Sequence, residues 1–381
     1  MNPESNPSPA STNPQPSLRV VAMGGGTGLS TLLRGLKRYV PAPAASRRAT
    51  DVSPRSQSDA EPAPNPAYPP QINRRTRPVA PTLPCVISDL AAIVTVTDDG
   101  GSSGRLREDF KMLPPGDVRN CMVALSEDEH LLSRLFQFRF DQGDLEGHSF
   151  GNLFVAALSH ITGDFAQAVQ MSSQILATRG RIYPATNTNV TLAARMDDGS
   201  LVCGETNITA SPHRILELML SPADAQPLPG ALDAIANADL ITLGPGSLYT
   251  SLITNLLVRG IPEAIAASKA TRVYVGNLMT QANESLGLTA SQHIEKILAH
   301  CGSARGPIFD YALINTAPIS PTLLRQYALE GQTPIEPDLD RIRALGVEPV
   351  TGNFAHEGDV LRHDPDHVTE ALLKLALAKH P

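Results

Sequence analysis

A short apolar run, Leu18-Arg19-Val20-Val21-Ala22-Met23, breaks directly into Gly24-Gly25-Gly26-Thr27-Gly28-Leu29-Ser30 and resumes as Leu32-Leu33-Arg34-Gly35-Leu36-Lys37. Apolar residues, glycines, then apolar residues at helical spacing read as strand, tight turn, helix. In that arrangement the free N–H groups and positive dipole end of the helix face a phosphate, and the glycines let the backbone approach it. The spacing is neither the dinucleotide G-x-G-x-x-G nor a Walker loop, since no Lys-Ser/Thr closes it. The turn therefore points to a nucleotide or sugar phosphate, or to a glycine turn required only for close packing.

Composition limits how much of the 381-residue chain can fold around this unit. Residues 1–17 and 41–84 carry 5 and 11 of its 33 prolines and little apolar content. Such segments do not bury enough surface to offset ordering entropy, so both are expected to be disordered. Residues 18–381 then form one α/β domain interrupted by the 41–84 insertion. Arg47, Arg48, Arg74, Arg75 and Arg77 make that insertion locally basic, either a solvated tether or the contact point for an acidic protein partner or a membrane surface. A net charge of −7, a pI of about 5.8, no Trp and few aromatic residues argue against nucleic-acid binding. Cys85, Cys121, Cys203 and Cys301 are widely spaced, which suits buried thiols in a reducing compartment. With no signal-type leader and no long apolar run, a cytoplasmic protein without a transmembrane segment is expected.

Strands are expected at 18–23, 91–96, 238–243, 271–276 and 311–314, the last taken as the final core strand, with a small hairpin at 189–195 and 200–203. Helices are expected at 29–39, 117–137, 151–177, 230–237, through 252–257, 292–300, 321–330 and 365–379, the last capped by Asp364. This alternation implies a three-layer α/β/α, doubly wound, mostly parallel sheet. In such a sheet ligands bind outside the carboxyl ends of the strands. The unusual segments fall there: Gly24–Ser30, Asp98–Arg107, Gly244–Tyr249 and Asn277–Gln281.

Each segment suggests a role. Gly24, Gly25, Gly26, Thr27, Gly28, Leu29 and Ser30, with the second turn Gly244, Pro245, Gly246 and Ser247, suit a diphosphate. Asp98 or Asp99 suits a ribose hydroxyl or Mg²⁺, because hard carboxylate oxygens bind both; the alternative is a turn-forming Asp-Asp-Gly-Gly. Ser102, Ser103 and Arg105 line the same loop, and Arg105 or Arg107 suits a diphosphate. Asn152, beside His148 in His148-Ser149-Phe150-Gly151-Asn152, and Asn277, Thr280 and Gln281 suit base or sugar recognition. Asp117 reads as the cap of the helix it opens. Nothing in the chain suggests covalent catalysis, so no catalytic residue is assigned.

These segments, in this order, resemble the YvcK family of gluconeogenesis factors (the UPF0052 group). The matching stretches include Gly24–Ser30, Asp98–Arg107, Pro114–Asn120, His148–Leu153, Leu243–Ser251 and Asn277–Gln281, within residues 18–320. The resemblance implies a Rossmann-like fold related to the CofD 2-phospho-lactate transferases, which use a nucleoside-diphosphate-activated donor and a deazaflavin acceptor. It implies for this branch binding of a UDP-sugar such as UDP-N-acetylglucosamine and support of cell shape and envelope growth on gluconeogenic carbon, with no settled catalysed reaction; the alternative is a CofD-like transferase moving a phosphate-linked group. The chain departs from the family at the insertion, at Thr254-Asn255 where Pro-Asn is usual, and at Leu288. Leu288 stands where the family has a Tyr linked to UDP-sugar binding. Homo-oligomerisation stays open.

Overall fold

The structure is a computed structural model that describes residues 15–41, 81–127, 131–302 and 304–380. Most of the expected tail and insertion lies outside the described residues. In chain order the strands are β1 (Ser17–Gly24), β2 (Val86–Val94), β3 (Arg181–Pro184), β4 (Thr191–Met196), β5 (Leu201–Cys203), β6 (Ile215–Ser221), β7 (Leu240–Leu243), β8 (Thr271–Val275), β9 (Tyr311–Asn315), β10 (Glu348–Gly352), β11 (Ala355–Glu357) and β12 (Leu361–His363). The helices nearest the site are α1 (Gly26–Leu36), α2 (Gly101–Phe110), α3 (Gly116–Leu125), α4 (Leu131–Gln137), α5 (Phe150–Thr162), α6 (Phe165–Ile175) and α7 (Glu205–Ala210).

Seven strands form one parallel sheet in the order β10-β9-β8-β7-β1-β2-β3. Helices cover both sides, which gives the expected α/β/α architecture. The central strands are apolar runs buried on both faces: Val20, Val21, Ala22 and Met23 in β1 and all of β7 and β8 are buried. On one face α1 packs with α3 and with the C-terminal helix Pro365–Lys379. The chain winds outward from β1 through β2 to β3, then returns to β7 on the other side of β1. That reversal opens a crevice above the carboxyl ends of β1 and β7. A three-stranded antiparallel sheet, β5-β4-β6, and the hairpin β11–β12 lie outside the main sheet.

Several expected elements change. The 117–137 helix is two helices, α3 and α4. The break comes at Ser126, whose extended backbone forms a bridge with Thr178. The 151–177 helix is likewise two, α5 and α6. Gly163 ends α5 at φ +69, and the Asp164 side chain caps α6 by accepting from Gln167 N–H at 2.7 Å. Tyr311–Ile314 is not the final core strand, because β10 pairs beyond β9. The segment after the second glycine turn opens as a π-helix, Leu248–Ile253. The cap at Asp364 is as expected: its carboxylate accepts from Asp366 and His367 N–H, both at 2.9 Å.

Candidate functional site

The two glycine turns meet at the sheet crevice. Gly24 ends β1, and Gly25 leads into α1 in extended conformation. Gly28, in the first turn of α1, lies against the second turn. A Cβ there would stand 2.7 Å from the Pro245 carbonyl carbon and closer still to its oxygen. Gly26 sits at φ +57, in the left-handed region that glycine tolerates. Around this junction lies a cleft of ≈ 490 Å³, a volume typical of small-molecule sites. Gly25, Gly26, Thr27 and Gly28 form one wall, and Pro245, Gly246 and Ser247 another. Thr27 and Gly28 lie in the first turn of α1, where N–H groups have no intrahelical acceptor.

The second turn also meets a carboxylate of the chain. At the start of its π-helix stands the side chain of Glu284, whose carboxylate accepts from Tyr249 N–H at 3.1 Å and Thr250 N–H at 3.0 Å. The chain thus supplies its own anion at that helix start. Burial pushes the Glu284 carboxyl above its usual range, and the two N–H donors hold it back.

Three carboxylates, Asp98, Asp117 and Glu205, face the cleft. Asp117 is not the cap of α3, since Pro115 holds that position. Its side chain instead accepts from Gly26 N–H and from Thr95 Oγ1 at 3.3 Å. Burial, then repulsion from Asp98, pushes its carboxyl up to about 6. Glu205 opens α7 and accepts from Thr97 Oγ1 at 3.2 Å. Burial, with Asp117 and Asp98 nearby, pushes it up to about 8. At neutral pH Glu205 therefore carries a proton, and the wall holds fewer charges than carboxylates. Hard oxygen donors suit Mg²⁺. They do not form a closed cage: among the described residues, the one trio of candidate ligand atoms mutually within 4.8 Å is Asp197, Asp198 and His213, exposed and outside the cleft.

The opposite rim comes from Asn277–Gln281 after β8 and from the C-terminal part of the chain. Asn277 Nδ2 donates to Gly246 O at 2.9 Å, and Gln281 Nε2 donates to Ser247 Oγ at 3.0 Å. Both residues are thereby fixed against the second turn. Gln281 Oε1 is buried without a donor. Thr280 also lines the cleft, but its hydroxyl and N–H are engaged with the backbone of Thr333. Tyr327, Gln332 and the β12 residues Leu361, Arg362 and His363 complete the rim. Arg362 is the one arginine among the lining residues. Burial lowers His363 to about 4, so the ring is neutral and its Nε2–H donates to Gly276 O at 2.9 Å.

Of the sequence-derived site residues, Gly25, Gly26, Thr27, Gly28, Asp98, Pro245, Gly246, Ser247, Asn277, Thr280 and Gln281 line this one cleft. Gly24, Leu29, Ser30 and Gly244 lie behind it, within the turns and the core. Asp99 turns the other way and accepts from Thr206 N–H at 2.8 Å and from Thr206 Oγ1. Ser102, Ser103, Arg105 and Asn152 lie outside the cleft lining. Asn152 Nδ2 donates to Ser102 Oγ at 3.1 Å, and Ser102 Oγ meets His148 Nδ1 at 3.1 Å. Leu288 packs against the hydrophobic core and does not line the cleft. Sequence reasoning missed Asp117, Glu205 and the β12 rim. A carboxylate inside a helix's first turn looks like a cap, and a three-residue strand beyond residue 320 has no periodic signal.

Residues 20–355 match the family described as 2-phospho-L-lactate transferase CofD. The gluconeogenesis factor of Halalkalibacterium halodurans is 44% identical over 357 residues, covering 93% of this chain and 95% of that protein. The gluconeogenesis factor of Bacillus subtilis is 40% identical over 359 residues, covering 94% of this chain and 98% of that protein. A crystal structure of a UPF0052 family member from Bacillus halodurans superposes with a TM-score of 0.79 at 43% identity, covering 94% of this chain and 99% of that one.

Proposed function

The chain belongs to the CofD family, among the gluconeogenesis factors, and on that premise we propose that its cleft binds a UDP-sugar resembling UDP-N-acetylglucosamine and regulates envelope-precursor supply and cell shape during gluconeogenic growth. The observation that carries this reading is the convergence of two glycine turns, one carboxylate wall and one amide-bearing rim on a single cleft. The diphosphate lies at Thr27–Gly28 in the first turn of α1, beyond Gly26, whose N–H is already taken by Asp117. The second turn braces the site through Gly28 and Pro245, its own helix start being held by Glu284. Gln281 Oε1, buried without a donor, accepts from the base or the sugar. Arg362 meets negative charge on the open side.

A diphosphate beside Asp98 and Asp117 is repelled unless a cation stands between them. These two side chains would hold Mg²⁺, a hard cation suited to carboxylate oxygens. When bound, the ion supplies charge neutralisation. The protein acts in the cytoplasm as a binding module; among the described residues no helix is long and apolar enough to cross a membrane.

A second reading, a CofD-like transferase, is favoured by the protonated Glu205 beside the acidic Asp98 and Asp117. A carboxyl pushed up to about 8 suits proton transfer at neutral pH. Calorimetric titration with UDP-N-acetylglucosamine, with GDP and NAD as controls and with or without Mg²⁺, separates the two. Saturable, Mg²⁺-enhanced UDP-sugar binding without product supports the binding module. Preference for GDP, or heat from turnover with a deazaflavin acceptor, supports the transferase. Absence of nucleotide binding overturns both.

A further inference from the structure

The polar residues set aside by the cleft gather around the segment 147–151. Arg105, on α2, donates to Glu146 O at 2.7 Å. Arg139, between α4 and α5, donates to Gly147 O. Arg119, on α3, packs its side-chain methylenes on Gly151, where a Cβ would stand 2.8 Å from Cδ. It donates to Asn120 Oδ1 at 2.8 Å and to Phe136 O at 3.5 Å. Three guanidiniums from three elements thus converge on one loop. Among the described residues none of them has a carboxylate oxygen within 4.0 Å; every partner recorded for them is a carbonyl or amide oxygen.

One further observation points to a missing acceptor: Arg119 Nε is buried with none. The cations also repel one another. Arg139 lowers Arg119, and Arg105 and Arg139 both lower His148, in each case after burial as the larger cause. The acidic groups that oppose this are Asp117 for Arg119 and Asp109 for His148. The adjoining Asp141, Asp144 and Glu146 are exposed and form no ion pair with the three arginines. Clustered guanidinium forks without a carboxylate match the geometry of an oxyanion. A buried donor without an acceptor is rare unless something else satisfies it.

We propose that Arg105, Arg119 and Arg139, with His148, form a second site, separate from the nucleotide cleft, that binds the phosphate group of a small phosphorylated metabolite. Arg105 and Arg119 sit on α2 and α3, the helices that follow Asp98 and carry Asp117, so the two sites adjoin.

The test is calorimetric titration of inorganic phosphate into the full chain at constant ionic strength, against chloride. Arg139 is exposed, lies outside the nucleotide cleft, and can be replaced without opening the core. Arg139→Ala should weaken phosphate binding about tenfold, the loss of one charge-assisted fork, and Arg139→Glu should abolish it. Binding of UDP-N-acetylglucosamine should be the same in both variants as in the wild type, and circular dichroism confirms their fold. Undiminished phosphate binding in Arg139→Glu, which would place the anion in the cleft, overturns the proposal. So does a wild-type chain that takes up no phosphate above the chloride control.

Discussion

The contact between the glycine turns makes Gly28→Ala a decisive perturbation. The added Cβ would stand 2.7 Å from the Pro245 carbonyl carbon and 3.0 Å from Gly246 N, closer than real Cβ atoms stand to backbone. These are main-chain atoms of a buried turn, so no side chain can rotate away. Relief requires the α1 start and the Gly244–Ser247 turn to separate by several tenths of an ångström. Overpacking of this kind costs about 1–3 kcal/mol. In a domain of this size that lowers Tm by roughly 2–4 °C per kcal/mol. The separation also opens the cleft where the diphosphate is placed, so UDP-N-acetylglucosamine affinity should fall at least about tenfold, or ~1.4 kcal/mol. Gly101→Ala is the control. Gly101 has φ +48 but open space around its Cβ position, so it should cost about 1–2 kcal/mol of backbone strain and leave affinity unchanged. Scanning calorimetry and ligand titration on both variants read the two effects separately. A Gly28→Ala protein with wild-type Tm and wild-type affinity would refute the claim that the turns are in backbone contact.

Other expectations follow from the same geometry. Asp98→Asn should remove most of the Mg²⁺ enhancement of nucleotide binding and, with one repelling charge gone, strengthen Mg²⁺-free binding, as titration with and without the ion will show. Glu205 is protonated in the folded chain up to about 8 but ionises near 4.5 when unfolded. The folded state therefore holds the extra proton, and stability from this group is lost as pH rises from about 4.5 to about 8. Denaturant unfolding across that window should show a decline that Glu205→Gln flattens. Glu284→Ala leaves the buried Tyr249 and Thr250 N–H groups without their acceptor, and should destabilise the chain by about 1–3 kcal/mol in urea unfolding. With a thiol reagent, native protein should react at Cys203, the exposed cysteine, while Cys85, Cys121 and Cys301 react only on unfolding.

The centre of the fold was legible because its signals are local. Residues 18–36 pass from a buried strand through glycines to an amphipathic helix, and each transition has its own residue chemistry. The same holds for Asp364-Pro365, where cap and first turn are adjacent in sequence. The breaks at Ser126 and Gly163-Asp164 were hidden by apolar residues that keep a helical period across both. The edge strands β3 and β10 are four and five residues long, too short for a period to show. In the candidate site the glycine turns and Asn277–Gln281 could be read as segments. The roles of Asp117 and Glu284 could not, since each is set by backbone N–H groups from elements distant in sequence. Ser102 and Asn152 carry residue types suited to a ligand, yet here they bond to one another.

The insertion leaves the folded part after Val40 and rejoins it before β2, at the amino-terminal ends of the parallel strands. The cleft lies at the carboxyl ends. Pro41 and Pro81, the described residues that flank the insertion, stand together at the opposite pole of the sheet. For an engineer this pair is a grafting port, since both attachment points of a spliced fluorescent reporter lie away from the cleft mouth.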